Sequence, residues 1–252
     1  ETKETVSVSV EIPGVFRDVS ADDWFFNAVY DAYGRGLMVG ESSDLFAPND
    51  SMTRAMLITT LYRMSGSPAV TGENPYSDVP AGSYYEKAVI WAMQKGVANG
   101  MGGGKFEPDT TLNRAMVATV LYRLSGDKVS ATNAFPDVPA NEWYGEAVAW
   151  AQQKGIVTGF EDGTFRPMEE ISRQDMALML QRYAKTVKGT DTTPTGDLSR
   201  WPDAGLVGSW AVDALRWCVG AGIINGKDGG LQPTGNATRA EFATILMRYA
   251  KL

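Results

Sequence analysis

The sequence predicts a mainly α fold of tandem helix–loop–helix repeats, and three observations carry that prediction. Arg54, Arg114, Arg173 and Arg239 stand in matching contexts at steps of 60, 59 and 66 residues, and Asp18, Asp78, Asp137 and Asp203 keep the same steps. Pro48, Pro108, Pro167 and Pro233 each precede their arginine by six residues, and Arg63, Arg123, Arg182 and Arg248 each follow it by nine. Apolar residues in the units recur at i, i+4, i+7 and i+8, as in Tyr84, Ala88, Trp91 and Ala92, which is the spacing of a helix with one buried face.

Each unit opens with an aromatic-x-Asp triplet: Phe16 to Asp18, Tyr76 to Asp78, Phe135 to Asp137 and Trp201 to Asp203. A first helix follows, with Trp24, Tyr84, Trp143 and Trp210 at its start. Its second aromatic position holds Trp91, Trp150 and Trp217, but polar Asp31 in the first copy. Gly36, Gly96, Gly155 and Gly222 suit the left-handed residue that closes such a helix. A glycine-rich turn and a short extended Phe-x-Pro piece come next, with Leu231 replacing Phe in the last copy. Thr53, Asn113, Ser172 and Thr238 are four choices from one N-cap set, so the repeat arginine is the first residue of a second helix. Only Thr238 to Glu241 makes the full capping box. Ser172 to Asp175 is a weaker one, and Met56 and Met116 break it in the first two copies.

The units are bounded at 16–66, 76–126, 135–185 and 200–252, after a tail over 1–15 whose Val6-Ser7-Val8-Ser9-Val10 alternation reads as a lone strand or an extended segment. The polar stretch Lys185 to Ser199 reads as the most flexible boundary. Net charge is -7 without a basic block, which argues against nucleic acid. No apolar run approaches the roughly 18 residues of a membrane span. With no histidine and only Cys218, a Ser-His-Asp triad, a Cys-His pair, a histidine metal site and an internal disulfide are all excluded. The turns around Asp162 and Asp228 lack the spaced ligands of a calcium loop. No metal and no cofactor is therefore expected.

These motifs resemble the S-layer homology repeat. That family shows aromatic-x-Asp-Val, an aromatic before a first helix, Gly-x-x-x-Gly, Phe-x-Pro, and a Thr-Arg-Ala-Glu-like start to a second helix. The resemblance covers residues 16–251. It implies a spindle of three repeats around a central helical bundle, here with a fourth repeat packed against it, in preference to a closed fourfold ring. It implies a non-catalytic module at the cell wall or S-layer, outside the cell, that binds secondary cell-wall polysaccharide attached to peptidoglycan, often bearing a pyruvylated amino sugar. By position, the implied ligand-binding residues are Arg54, Arg114, Arg173 and Arg239, the aromatics Trp24, Tyr84, Trp143 and Trp210, and the aspartates Asp18, Asp78, Asp137 and Asp203.

The chemistry suits an acidic sugar. A guanidinium can meet a carboxylate with two hydrogen bonds, an indole can cover a sugar's C–H face, and an aspartate can accept from hydroxyls. Plainer roles compete: an internal Arg–Asp pair, aspartates that accept from loop backbone, and aromatics on the buried face of the first helix. Two other functions stand beside anchoring. One is a protein-interaction or self-assembly module meeting other surface proteins. The other is a carboxylate glycosidase, which no carboxylate constellation supports.

Overall fold

The computed structural model describes residues 15–128, 132 and 134–250. The Val6 to Val10 alternation lies outside them. Each copy folds as a helix, a tight loop and a second helix. The first helices are α1 (Phe26–Gly34), α3 (Glu86–Gln94), α5 (Gly145–Gln153) and α7 (Val212–Gly220). The second helices are α2 (Arg54–Met64), α4 (Arg114–Ser125), α6 (Arg173–Thr186) and α8 (Arg239–Tyr249). Two short 3-10 turns, Ala204–Leu206 and Ser209–Ala211, lead into α7. Among the described residues there is no ladder-forming strand, only isolated antiparallel bridges.

The second helices begin where their caps require. Thr53, Asn113, Ser172 and Thr238 each accept from the backbone N–H three residues on, and Glu241 completes the box in the fourth copy. Gly36, Gly96, Gly155 and Gly222 end the first helices at φ of 66°, 61°, 69° and 65°. The second glycine of each Gly-x-x-x-Gly has a different role. A Cβ on Gly100 would lie 2.5 Å from the Tyr76 ring and 2.7 Å from the Lys105 carbonyl, so only glycine lets the opening aromatic lie flat on the loop.

The first helices start two residues later than the apolar spacing suggests. Trp24, Tyr84, Trp143 and Trp210 therefore precede the helix in a turn rather than standing on its buried face. The residues after them, such as Phe25 and Tyr144, turn into the core instead. Lys185 to Ser199 is held down along its length: Thr190 N–H donates to the Ala184 carbonyl at 2.9 Å, and Gly196 N–H to that of Arg216 at 2.9 Å.

Helices pair across copies: α2 packs on α3, α4 on α5, α6 on α7, and α8 returns to pack on α1. The backbone repeats this cyclic order. Arg54 N–H donates to Thr110, Arg114 N–H to Glu169, Arg173 N–H to Gly235 and Arg239 N–H to Asp50, all at 2.8–3.0 Å. The next N–H in each copy donates to Pro108, Pro167, Pro233 and Pro48, each at 2.9 Å. The four copies thus form a closed ring around the second helices. This corrects the expected threefold spindle with an added repeat: the step from the fourth copy to the first makes the same bonds as the other three, so no copy is the extra one. Asp31 belongs to that closure. Arg35 pairs with it at 3.1 Å and donates to the Ala250 carbonyl at 2.7 Å, at the end of α8.

A ring has no dispensable member. A chain ended at residue 198 would expose the apolar faces of α1 and α6 and orphan the first two N–H groups of α6, each costing about 1–3 kcal/mol. Circular dichroism is expected to show a much lower, broader melt; a three-repeat spindle with one appendage would melt unchanged.

Candidate functional site

The four motif arginines stand at the first position of the second helices, and all are buried. Each reaches forward into the loop of the following copy. The Arg239 Nε donates to the Phe46 carbonyl at 2.8 Å and Nη2 to that of Val39 at 2.7 Å. Arg54 Nη2 donates to Asn99 and Arg173 Nη2 to Asn225, the loop positions equivalent to Val39, while Arg114 Nε donates to Phe165 at 2.9 Å. The guanidinium carbons of Arg54, Arg114 and Arg239 lie 4.4–4.9 Å from the centres of Phe106, Phe165 and Phe46. Helix-start arginines oppose the helix dipole, and these carbonyls and ring faces offset that.

Where burial dominates, the charge is less easily held. Burial lowers Arg54 to about 10, against the pull of Tyr76, Glu107 and Asp78, so it stays protonated at neutral pH. Burial also lowers Arg114, against Asp175, and Arg239, against Glu41 and Tyr84.

The motif aspartates do not face the arginines. Each carboxylate accepts two backbone N–H groups at the Phe-x-Pro piece. Asp18 takes Phe46 and Ala47, Asp78 takes Phe106 and Glu107, Asp137 takes Phe165 and Arg166, and Asp203 takes Leu231 and Gln232, at 2.7–2.9 Å. The second residue of each pair holds φ between 48° and 57° without being glycine. The carboxylate clamp makes that left-handed residue tolerable. Burial raises Asp78 and Asp203, but the backbone donors outweigh it and hold both below the ordinary carboxylate value.

The partners that the arginines do find come from the third position of the next second helix. Arg114 Nη1 pairs with Asp175 at 3.0 Å. Arg173 Nη2 lies 2.7 Å from Glu241 Oε1, an ion pair off the line of a good hydrogen bond, with both side chains 1% exposed. The other Arg173 nitrogens, Nε and Nη1, have no protein partner. Burial raises Glu241, against the pull of Arg173. Sequence reasoning saw Asp175 and Glu241 only as capping residues. The signal was present, since they alone of the four third-position residues are acidic.

Among the described residues, the grooves at Arg239 and at Arg114 are open, and each draws on three copies. The first, about 450 Å³, is floored by Arg239, walled by Val39, Met56, Thr60 and Arg63, and lipped by Tyr84. The second, about 660 Å³, repeats the plan with Arg114, Thr158, Asp175, Leu178, Arg182 and Trp210. Tyr84 and Trp210 are 56% and 50% exposed, whereas Trp24 and Trp143 are half-buried. The Trp143 ring lies 5.6 Å from the Arg54 guanidinium, which makes it the corresponding lip closed down over its arginine. Arg63 and Arg182 also donate to loop carbonyls, those of Leu37 and Ile156, at 3.3 Å. They are groove-wall cations, a place that their spacing in the sequence does not reveal. Among the described residues no cluster of three acidic or cysteine side chains could hold a metal.

The family model described as "S-layer homology domain" matches residues 15–55, 75–116, 134–177 and 202–243. The chain is 28% identical over 202 residues to the surface-layer 125 kDa protein of Lysinibacillus sphaericus, covering 79% of this chain and 16% of that protein. It is 28% identical over 190 residues to the cellulosome-anchoring protein of Acetivibrio thermocellus, covering 71% and 39%. It also matches the exoglucanase XynX of that organism, 31% identical over 153 residues, covering 60% of this chain and 14% of that protein. The chain spans well under half the length of these relatives.

Two outcomes follow from the clamps and the buried pair. The stability that Asp78 and Asp203 contribute is present above the unfolded carboxylate value of about 4 and is lost as pH falls through their depressed folded values. Urea midpoints should therefore fall as the pH drops below about 4, and fall less in the Asp78→Asn, Asp203→Asn double variant. Glu241→Ala leaves Arg173 buried and unpaired, and should cost about 3–5 kcal/mol in chemical denaturation.

Proposed function

The chain belongs to the S-layer homology family, a module of cell-wall and S-layer anchoring, and we propose that its open grooves hold the secondary polysaccharide attached to peptidoglycan. One observation carries this reading: each open groove joins a buried, fixed arginine at its floor to an exposed aromatic at its lip. The arginine supplies a preformed partner for a sugar-borne carboxylate or acceptor oxygen. The aromatic supplies a face for a sugar's C–H groups. We read the glycan as acidic, bearing a pyruvylated amino sugar whose ketal carboxylate fits the floor. The aspartates act indirectly here, by fixing the loop whose carbonyls hold the arginines.

The role is anchoring rather than catalysis. The cellulosome-anchoring protein shares more of its length with this chain than the exoglucanase does. The protein's net charge of -7 repels an acidic polymer at long range, but salt screens that beyond about 8 Å, while contacts inside the groove survive. Two grooves centred on the first and third copies let one chain grip a polymer twice, so modest single-site affinity becomes firm retention.

The test is sedimentation with purified peptidoglycan, with and without its attached polysaccharide. Retention only when the polysaccharide is present is expected. Retention on neither preparation removes the anchoring reading and favours a self-assembly module. Tyr84→Ala and Trp210→Ala, each on an exposed lip, should each weaken retention partially, and the double variant by about 30-fold, given about 0.5–1.5 kcal/mol per aromatic contact.

A further inference from the structure

We propose that Gln174 is the positioning residue that holds Trp210 out as the lip of the groove at Arg114, and that the extra residue of the fourth copy serves that latch. This deepens the polysaccharide reading above and rests on it.

Four aromatics stand at the lip position, and three of them share one brace. Trp24, Tyr84 and Trp143 are each followed by a second aromatic, Phe25, Tyr85 and Tyr144, whose ring meets theirs edge-on at 5.0–5.4 Å. Trp210 is followed by Ala211, so it has no such ring behind it. It is nevertheless the most exposed of the three lip indoles, at 50%, while Trp24 and Trp143 are half-buried. Trp143 shows where an unlatched indole goes, 5.6 Å from the Arg54 guanidinium. The attraction between a ring face and a buried cation favours that closed place.

Backbone replaces the brace in the fourth copy. The step from motif aspartate to lip is seven residues there, Asp203 to Trp210, and six in the others, as from Asp137 to Trp143. The added length folds into the two 3-10 turns, with Gly208 between them. Gly208 N–H donates to Gln174 Oε1 at 2.9 Å. A Cβ on Gly208 would lie 2.6 Å from Trp210 Nε1 and 2.9 Å from its Cε2, so the indole rests directly on the backbone that Gln174 holds. Gln174 is itself fixed. Its own N–H donates to the Pro233 carbonyl at 2.9 Å, and the residue is buried. Ala55, Ala115 and Ala240 occupy the same place in the other copies. A buried amide side chain in place of alanine costs rotamer freedom and desolvation unless it finds a partner. The partner it finds is the N–H beneath the lip. An indole held out in advance spares the ligand the work of opening the groove, so apparent affinity is not reduced by a closed fraction.

The first half of the test needs no ligand. The intact chain is labelled with 5-fluorotryptophan, and the Trp210 fluorine signal is assigned with Trp210→Phe. In the wild type that signal should show the large water-to-heavy-water shift of an exposed indole. Gln174→Met keeps the length and removes the acceptor. It should shrink the Trp210 solvent shift and leave the signals of buried Trp91, Trp150 and Trp217 in place. Gln174→Glu keeps an acceptor oxygen and should preserve the wild-type signal. Thermal melts establish that each variant is folded. The second half is sedimentation with polysaccharide-bearing peptidoglycan in a Tyr84→Ala background, which isolates the groove at Arg114. There Gln174→Met should weaken binding about fivefold, the population change that one ordinary hydrogen bond supports. It should have no further effect once Trp210→Ala is present. An unchanged Trp210 signal in Gln174→Met, or an equal change in Gln174→Glu, would overturn the proposal whatever the retention does. A changed signal with undiminished retention keeps the latch and removes this groove from the polysaccharide reading.

Discussion

The first two backbone N–H groups of every second helix have no acceptor within their own helix, and carbonyls of the following copy's pre-helix segment satisfy them. The rest of the structure depends on that exchange. It fixes the register between neighbouring copies without a sheet, through one isolated bridge at each of four junctions. It repeats four times and returns to its start, so α8 packs on α1 as α2 packs on α3. It also aims the first side chain of each helix, the motif arginine, into the neighbour's loop.

The burial of four guanidinium groups near a ring of helix N-termini would be costly if nothing offset it. Loop carbonyls and phenylalanine faces do so in most of the copies, and two of the four gain a carboxylate as well. The compensation is uneven. Arg54 and Arg173 keep unpartnered nitrogens in the interior, while Arg114 and Arg239 floor the two open grooves. A fold that is fourfold in its backbone is therefore uneven in the partners its four arginines find.

Much of the unit was legible from residue type because it is locally decided. An N-cap needs Ser, Thr, Asn or Asp whatever lies nearby, so the starts at Arg54, Arg114, Arg173 and Arg239 could be read directly. The left-handed glycines after the first helices are likewise a backbone requirement. The starts of the first helices were less legible. Trp24, Tyr84, Trp143 and Trp210 continue an apolar spacing, and spacing cannot tell a helical residue from one in the turn before it. Their exposure depends on how far each lip closes over the neighbouring arginine.

By itself, the sequence determined the repeat, its two helices, their caps and the residue that opens the second of them, because each rests on contacts within a few residues. Only the tertiary structure decided that four copies close into a ring, that the aspartates clamp loop backbone, and that Asp175 and Glu241 are the carboxylates the arginines meet. Those facts join residues 28 to 215 positions apart. A periodic sequence writes every junction in the same residues, so it cannot say whether the last copy finds the first.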